Sequence, residues 1–341
     1  MRRPFNRWRS RARALGESWR VQRDQWGVER DIERVAGSGE PLLLGPWTGE
    51  VGYEVLYWLP FLRWLVAAYR VDAQQVVAVS RGGAAPWYAG IAGAYVDVFD
   101  LVAPDAFARR SRALASQTGT SKQQAMSPLD DELVAAAAAR LGYRPRVVHP
   151  SLMFRLFRAF WSGHASMSFL ERHTRYARVV APAVPTTGLP REYVAVKFYT
   201  ARSLPADPPT RAAVRSMVMG VAARTPVVLL DPAVRVDEHE DFDLADIPNT
   251  TSAQPLMTPA TNLAVQTALI AGARAFVGTC GSVAWLAPML GIDTVAVLAD
   301  AAFLHAHLHV GRRAFHRMPG AGAFSPCDLG AVTRLGLTVG S

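Results

Sequence analysis

The chain has almost no cysteine and almost no lysine. Its two cysteines, Cys280 and Cys327, exclude a disulfide framework and a cysteine-rich metal site. That scarcity suits a reducing compartment. Lysine stands only at 122 and 197, so arginine carries the formal charge of +9. No apolar run is long enough to cross a bilayer; the best candidate, 55–69, is interrupted by Pro60 and Arg63. No apolar h-region follows the arginine-rich start, so no secretory signal is expected. These absences predict a cytoplasmic protein. Arg-rich, Lys-poor, Ala-rich usage suggests a GC-rich bacterial genome.

What is present is a substantial core-forming chain. Half of its 341 residues are hydrophobic, enough for two domains. The basicity is local. The first 23 residues hold eight arginines against Glu17, and the remainder is close to neutral. The body is therefore not patterned for nucleic acid. Residues 1–36 read as a basic extension in which Trp8, Leu15, Trp19 and Trp26 fall roughly on one helical face. Such a helix can lie on an anionic membrane surface, here the inner face. A partly disordered extension that packs a tryptophan or two on the body fits the same pattern.

From Pro41 onward, strands and helices alternate with short connections, the signature of an α/β chain with parallel sheets. Expected strands are 41–46, 75–80, 96–102 and 147–149, with helices at 55–69, 130–141 and 151–161. A Pro-rich stretch, 181–190, is the linker candidate. The pattern restarts with strands at 193–198, 226–230, 273–277 and 294–298. Helices are expected at 210–223, at 259–272 with Thr258 as cap, and at 283–290. The domains are thus 37–185 and 190–341, with a cleft between them.

Three segments carry candidate chemistry. In 275–291, a strand meets Gly278-Thr279-Cys280-Gly281-Ser282 and then a helix whose free N–H groups suit a phosphate. An ordinary glycine-serine helix start fits too. Lys197 ends an apolar strand, followed by Thr200, Arg202 and Ser203; a cation there needs an anionic partner, from a ligand or from a structural salt bridge. In 47–54 (WTGEVGYE), Glu50 lies between glycines on a loop, and Glu54 lies nearer the helix. Either suits a general base, and either could be a solvated or helix-start carboxylate. Arg81 and His149 also follow strands of the first half, as acceptor-side candidates or as structural groups.

The GPWTGEVGYE segment with its apolar helix (45–69), and FVGTCGSVAWLAPMLG with its following strand (276–298), resemble the GT-B glycosyltransferases, in their heptosyltransferase and fucosyltransferase-like branches. The resemblance covers about 40–300. It implies two Rossmann-like domains across a cleft, with acceptor on the first and nucleotide-sugar donor on the second. It implies an inverting, metal-independent transfer to an unknown glycan, lipid-linked or small-molecule hydroxyl, of the kind used in bacterial cell-surface glycan synthesis. Glu50 would be the base, with Glu54 as the other candidate. Lys197, Arg202, Ser203, Thr279, Gly281 and Ser282 would hold the donor. No residues for ribose and base stand out. Asp241-Phe242-Asp243 has the D-x-D form that holds a metal in another glycosyltransferase fold, but it sits in an acidic run, 237–246, that reads as a solvated loop. No metal or cofactor is assigned. A sugar-nucleotide epimerase and a non-catalytic scaffold of the same fold are the alternatives.

Overall fold

The computed structural model describes residues 25–119, 122–185, 187–231 and 240–334. Most of the basic extension, and with it the membrane-surface reading of Trp8, Leu15 and Trp19, lies outside the described residues. Residues 25–36 are helical. Val28, Ile32 and Ala36, spaced one helical turn apart, are buried, whereas Trp26 is 57% exposed. Arg155 pairs with Asp31 at 3.1 Å, so this part of the extension packs on the body.

The first half is a four-stranded parallel sheet of β1 (Leu42–Leu44), β2 (Val76–Ser80), β3 (Ala94–Asp97) and β4 (Arg146–Val148), in the order β3-β2-β1-β4. The pleat sorts its side chains. Leu42, Leu44, Val76 and Ala78 join one core cluster; Leu43, Val77 and Val79 join another, with Phe107 and Leu133 from helices Pro104–Thr118 and Pro128–Leu141. The expected third strand, 96–102, stops at Asp97. That carboxylate accepts from Phe99 N and Gly83 N, which winds 98–100 into a tight turn.

The second half is a six-stranded parallel sheet: β5 (Val194–Lys197), β6 (Val227–Leu229), β7 (Thr250–Ser252), β8 (Ala275–Thr279), β9 (Thr294–Leu298) and β10 (Phe324–Asp328). Its order is β10-β9-β8-β5-β6-β7. Numbered within the half, this is the doubly wound order 3-2-1-4-5-6, which reverses between β5 and β8. Two expected helices differ. The one expected from Pro259 begins at Asn262, because Thr258 and Thr261 bond each other through their hydroxyls in a preceding turn. The one expected at 283–290 is a tight turn, Ser282–Ala284, and a single α-turn, Leu286–Met289. Pro288 has no N–H to continue the ladder, and Ser282 has φ +40°.

The largest core cluster runs through both halves, from Leu42 and Trp58 to Phe276 and Trp285. The chain between them is held by each: Arg175 N bonds Pro60 O and Val179 N bonds Met289 O. Glu171 pairs with Arg313 and Arg317 across the same junction. Among the described residues no helix is long and apolar enough to cross a membrane.

Candidate functional site

The carboxyl ends of β1, β2, β5 and β8 surround a cavity of about 310 Å³. At the strand-order reversal of an open parallel sheet, adjacent loops part and leave room for a ligand. Here that reversal lies between Lys197 on β5 and Thr279 on β8. Lys197, Tyr199, Arg202, Ser203, Gly281 and Ser282 line the cavity from the second half; Glu50, Tyr53, Arg81 and Lys122 line it from the first.

Glu50 caps the helical run 51–68, its carbonyl accepting from Tyr53 N and Glu54 N. That run contains a wider π-type segment, Glu54–Trp58, closed by Leu59 N bonding Glu54 O. Its cause is legible. Pro60 cannot donate to Leu56 O, so that carbonyl accepts from the Tyr176 hydroxyl at 2.8 Å instead. The wide turn carries Glu54 inward. Glu54 is fully buried, and Oε1 accepts from Ser80 Oγ and Tyr88 OH, both at 2.6 Å. Burial pushes its carboxyl up to about 7, against the opposing charge of Arg81. Glu54 is not among the cavity-lining residues, so the general-base role expected of it fails on access. Glu50 is on the wall.

Two other expected site residues are structural. Thr279 is 1% exposed; its hydroxyl accepts from Tyr199 N and donates to Tyr199 O, both at 2.9 Å, which consumes it in joining two loops. His149 caps helix Pro150–Trp161, with Nδ1 accepting from Ser151 N, while Nε2 lies 3.4 Å from Asp130. Neither lines the cavity. Ser282 does, but from a short tight turn, so the helix-end phosphate site expected there is absent. Gly281 has φ +147°, and a Cβ there would come 2.7 Å from the Tyr199 hydroxyl, so only glycine fits.

Lys197 donates from Nζ to Leu230 O at 2.9 Å and its charge acts on Asp231. Asp231 lies two residues beyond β6, accepts from Ser252 Oγ at 2.9 Å on both oxygens, and is raised by burial more than Ser252 and Lys197 lower it. The Arg202 guanidinium lies 4.5 Å over the ring of Phe303, which is 44% exposed.

Sequence reasoning missed several lining groups. Tyr53 and Tyr57 reach across to His307, with Tyr57 OH 2.6 Å from Nδ1 and Tyr53 OH 3.3 Å from Nε2. Burial, and then the charge of Lys122, lower the imidazole to about 4, so it is neutral at pH 7. The cue was available in Tyr53 and Tyr57, one turn apart; the partner, 250 residues away, was not. Asp241 also lines the cavity, and Phe242 and Leu244 beside it are buried, so this part of the acidic run is not a solvated loop. Among the described residues no group of three metal-ligating side chains occurs.

Gly52 brings the two halves together, since a Cβ there would lie 3.0 Å from Ser282 N. The walls carry four cations, Arg81, Lys122, Lys197 and Arg202, against two acids, Glu50 and Asp241. A concave site of that balance suits an anionic ligand.

No family model matches the chain, and no curated protein does. Among solved structures it is similar to E. coli heptosyltransferase WaaC with ADP, at 14% identity over 86% of this chain and 98% of that one, with a TM-score of 0.43. It is similar to E. coli ADP-heptose lipopolysaccharide heptosyltransferase II, at 11% identity over 76% of this chain and 84% of that one, with a TM-score of 0.42. The dodecameric, iron-containing heptosyltransferase TibC in complex with ADP-D-β-D-heptose gives 14% identity and a TM-score of 0.41 over 76% of this chain, which spans 58% of TibC. Likenesses this distant assign no activity. The strand orders show two Rossmann-like α/β halves, and the cavity is lined from both of them.

Proposed function

We propose that this chain transfers a glycosyl group from a nucleotide-sugar donor to an acceptor hydroxyl in the cleft. The observation that carries the reading is the opposition of Glu50, on the first half, to Lys197 and Arg202, on the second, around one cavity. Lys197, Arg202 and Ser203 would hold the diphosphate, with Gly281 and Ser282 closing the wall.

The chemistry follows from that placement. Glu50 takes the proton of the acceptor hydroxyl, whose oxygen attacks the anomeric carbon. The bond from that carbon to the leaving phosphate oxygen breaks, and its electron pair goes to the departing nucleoside diphosphate. The cations stabilise that charge. Nucleophile and leaving group approach from opposite walls, which gives inversion, and side-chain cations suffice to balance the leaving group.

The test is a thermal-shift screen against UDP, GDP, dTDP and ADP and their sugars, since a ligand of the folded state raises stability by mass action. One nucleotide class is expected to stabilise the protein, and Arg202→Ala to abolish much of that shift. Stabilisation by none overturns the reading. Conversion of a sugar nucleotide without acceptor would instead mark an epimerase.

A further inference from the structure

Arg81 is a buried cation whose guanidinium lies 5.9 Å from the centroid of the Phe107 ring. It is 5% exposed, yet it lines the cavity. Among the described residues its Nη1 has no hydrogen-bond partner. Its charge acts on Glu54, but Glu54 Oε2 also has no hydrogen-bond partner among the described residues, so those two atoms do not bond each other. The other carboxylate oxygen is committed to Ser80 and Tyr88. A desolvated guanidinium costs several kcal/mol unless an anion meets it.

The turn that carries Arg81 is fixed. Gly82 O accepts from Leu263 N at 2.8 Å and Ala264 N at 3.1 Å, across the junction of the halves. Gly83 N donates to Asp97 at 2.8 Å. The backbone that carries Arg81 is therefore held in place beside the cavity rather than in a loose loop. Its position also distinguishes the two substrates. β1 and β2 are adjacent parallel strands, so Arg81 and Glu50 follow them onto the same edge. The second-half cations stand on the other side.

We propose that Arg81 seats an oxyanion carried by the acceptor, next to the hydroxyl that Glu50 deprotonates. This rests on the glycosyl-transfer reading for the word acceptor; the anion seat itself does not. Lys122, on the same half and 4.8 Å over the Tyr53 ring, adds to the attraction.

The probe is sulfate, doubly charged across the working pH range, titrated calorimetrically at constant ionic strength. Titrations are run with and without the nucleoside diphosphate that stabilises the protein. Wild type is expected to bind sulfate with the nucleotide in place, and Arg81→Gln to lose at least about tenfold in sulfate affinity, the weight of a charged hydrogen bond, with nucleotide affinity unchanged. Equal sulfate affinity in folded Arg81→Gln overturns the seat. Sulfate that competes with the nucleotide assigns Arg81 to the donor phosphates and overturns the acceptor claim. If no nucleotide binds, the glycosyl-transfer reading fails while the sulfate comparison still decides the seat. Glu54→Gln, which removes the charge beside Arg81, covers the case in which Arg81→Gln does not fold. At pH 8.5 it should tighten sulfate several-fold; unchanged or weaker binding overturns the proposal.

Discussion

The two sheets end in the same kind of strand–turn–helix connections, but side chains fill one reversal point and leave the other open. Between β1 and β4, Gly45 N bonds Val148 O and Trp47 is fully buried. Gln123 enters that region; its Oε1 accepts from Thr48 N and Gly49 N, and its Nε2 donates to Pro46 O and Asp130. Between β5 and β8 the corresponding space is the cavity. The difference teaches that topology supplies a crevice and side-chain volume decides whether it binds. The filled edge is a rigid mount that presents Glu50 and Arg81 to a site opened by the other half.

The sharpest way to break this comparison is Glu50→Gln. Turnover should fall by about 10²–10⁴, the usual weight of a general base, while nucleotide affinity and stability stay unchanged. Near-normal turnover would remove the first half from the chemistry. Next, Asp130→Asn and Arg202→Ala should dissociate the two edges. Asp130 is buried, which raises its carboxyl, but His149 and Ser127 outweigh that and hold it below the usual aspartate range. Its ionised form therefore stabilises the fold above the unfolded pKa, and that stability is lost as pH falls through the depressed value. Asp130→Asn should cost about 1.5–3 kcal/mol in denaturant unfolding and leave nucleotide binding intact. Arg202→Ala should do the reverse, weakening nucleotide binding by about 1.5–3 kcal/mol with stability spared. If both variants moved both readouts, the edges would not be separate devices.

Glu54 gives a smaller, pH-dependent effect of opposite sign. Its folded pKa, raised to about 7 by burial, favours the protonated form. Stability from this group is present below the unfolded glutamate pKa and is lost as pH rises through about 7. Glu54→Gln should flatten that part of a stability–pH profile; an unaltered slope would place the titration elsewhere. The smallest effect is expected at the junction. Tyr57→Phe deletes the 2.6 Å bond to His307 and should cost about 0.5–1.5 kcal/mol by chemical denaturation. No change would mean that this bond contributes nothing to holding the halves together.

Much of the fold was legible because local periodicity specifies it. β2, β5, β8 and β9 are short apolar runs that only a doubly covered sheet can bury, and each lies within about two residues of its expected position. Elements without that signal were lost. β10 contains Pro326, which is tolerated because the strand is at a sheet edge. Helix His305–Arg317 is polar along most of its length and packs Gly311 against the Trp285 ring, a contact no local pattern announces.

The sequence by itself determined the two α/β halves, the cleft between them and the residue types on its walls, since strand, turn and helix preferences act over a few residues. Glu50, Arg81, Lys197, Arg202, Ser203, Gly281 and Ser282 reach the cavity as their loop positions implied. Only the tertiary structure decided that Thr279 and His149 are consumed by neighbours, that a proline-induced wide turn hides Glu54, and that His307 and Asp241 join the wall. Those outcomes depend on which distant groups compete for each hydrogen bond and each volume. Residues far apart in the chain settle that competition only once the core they share has closed.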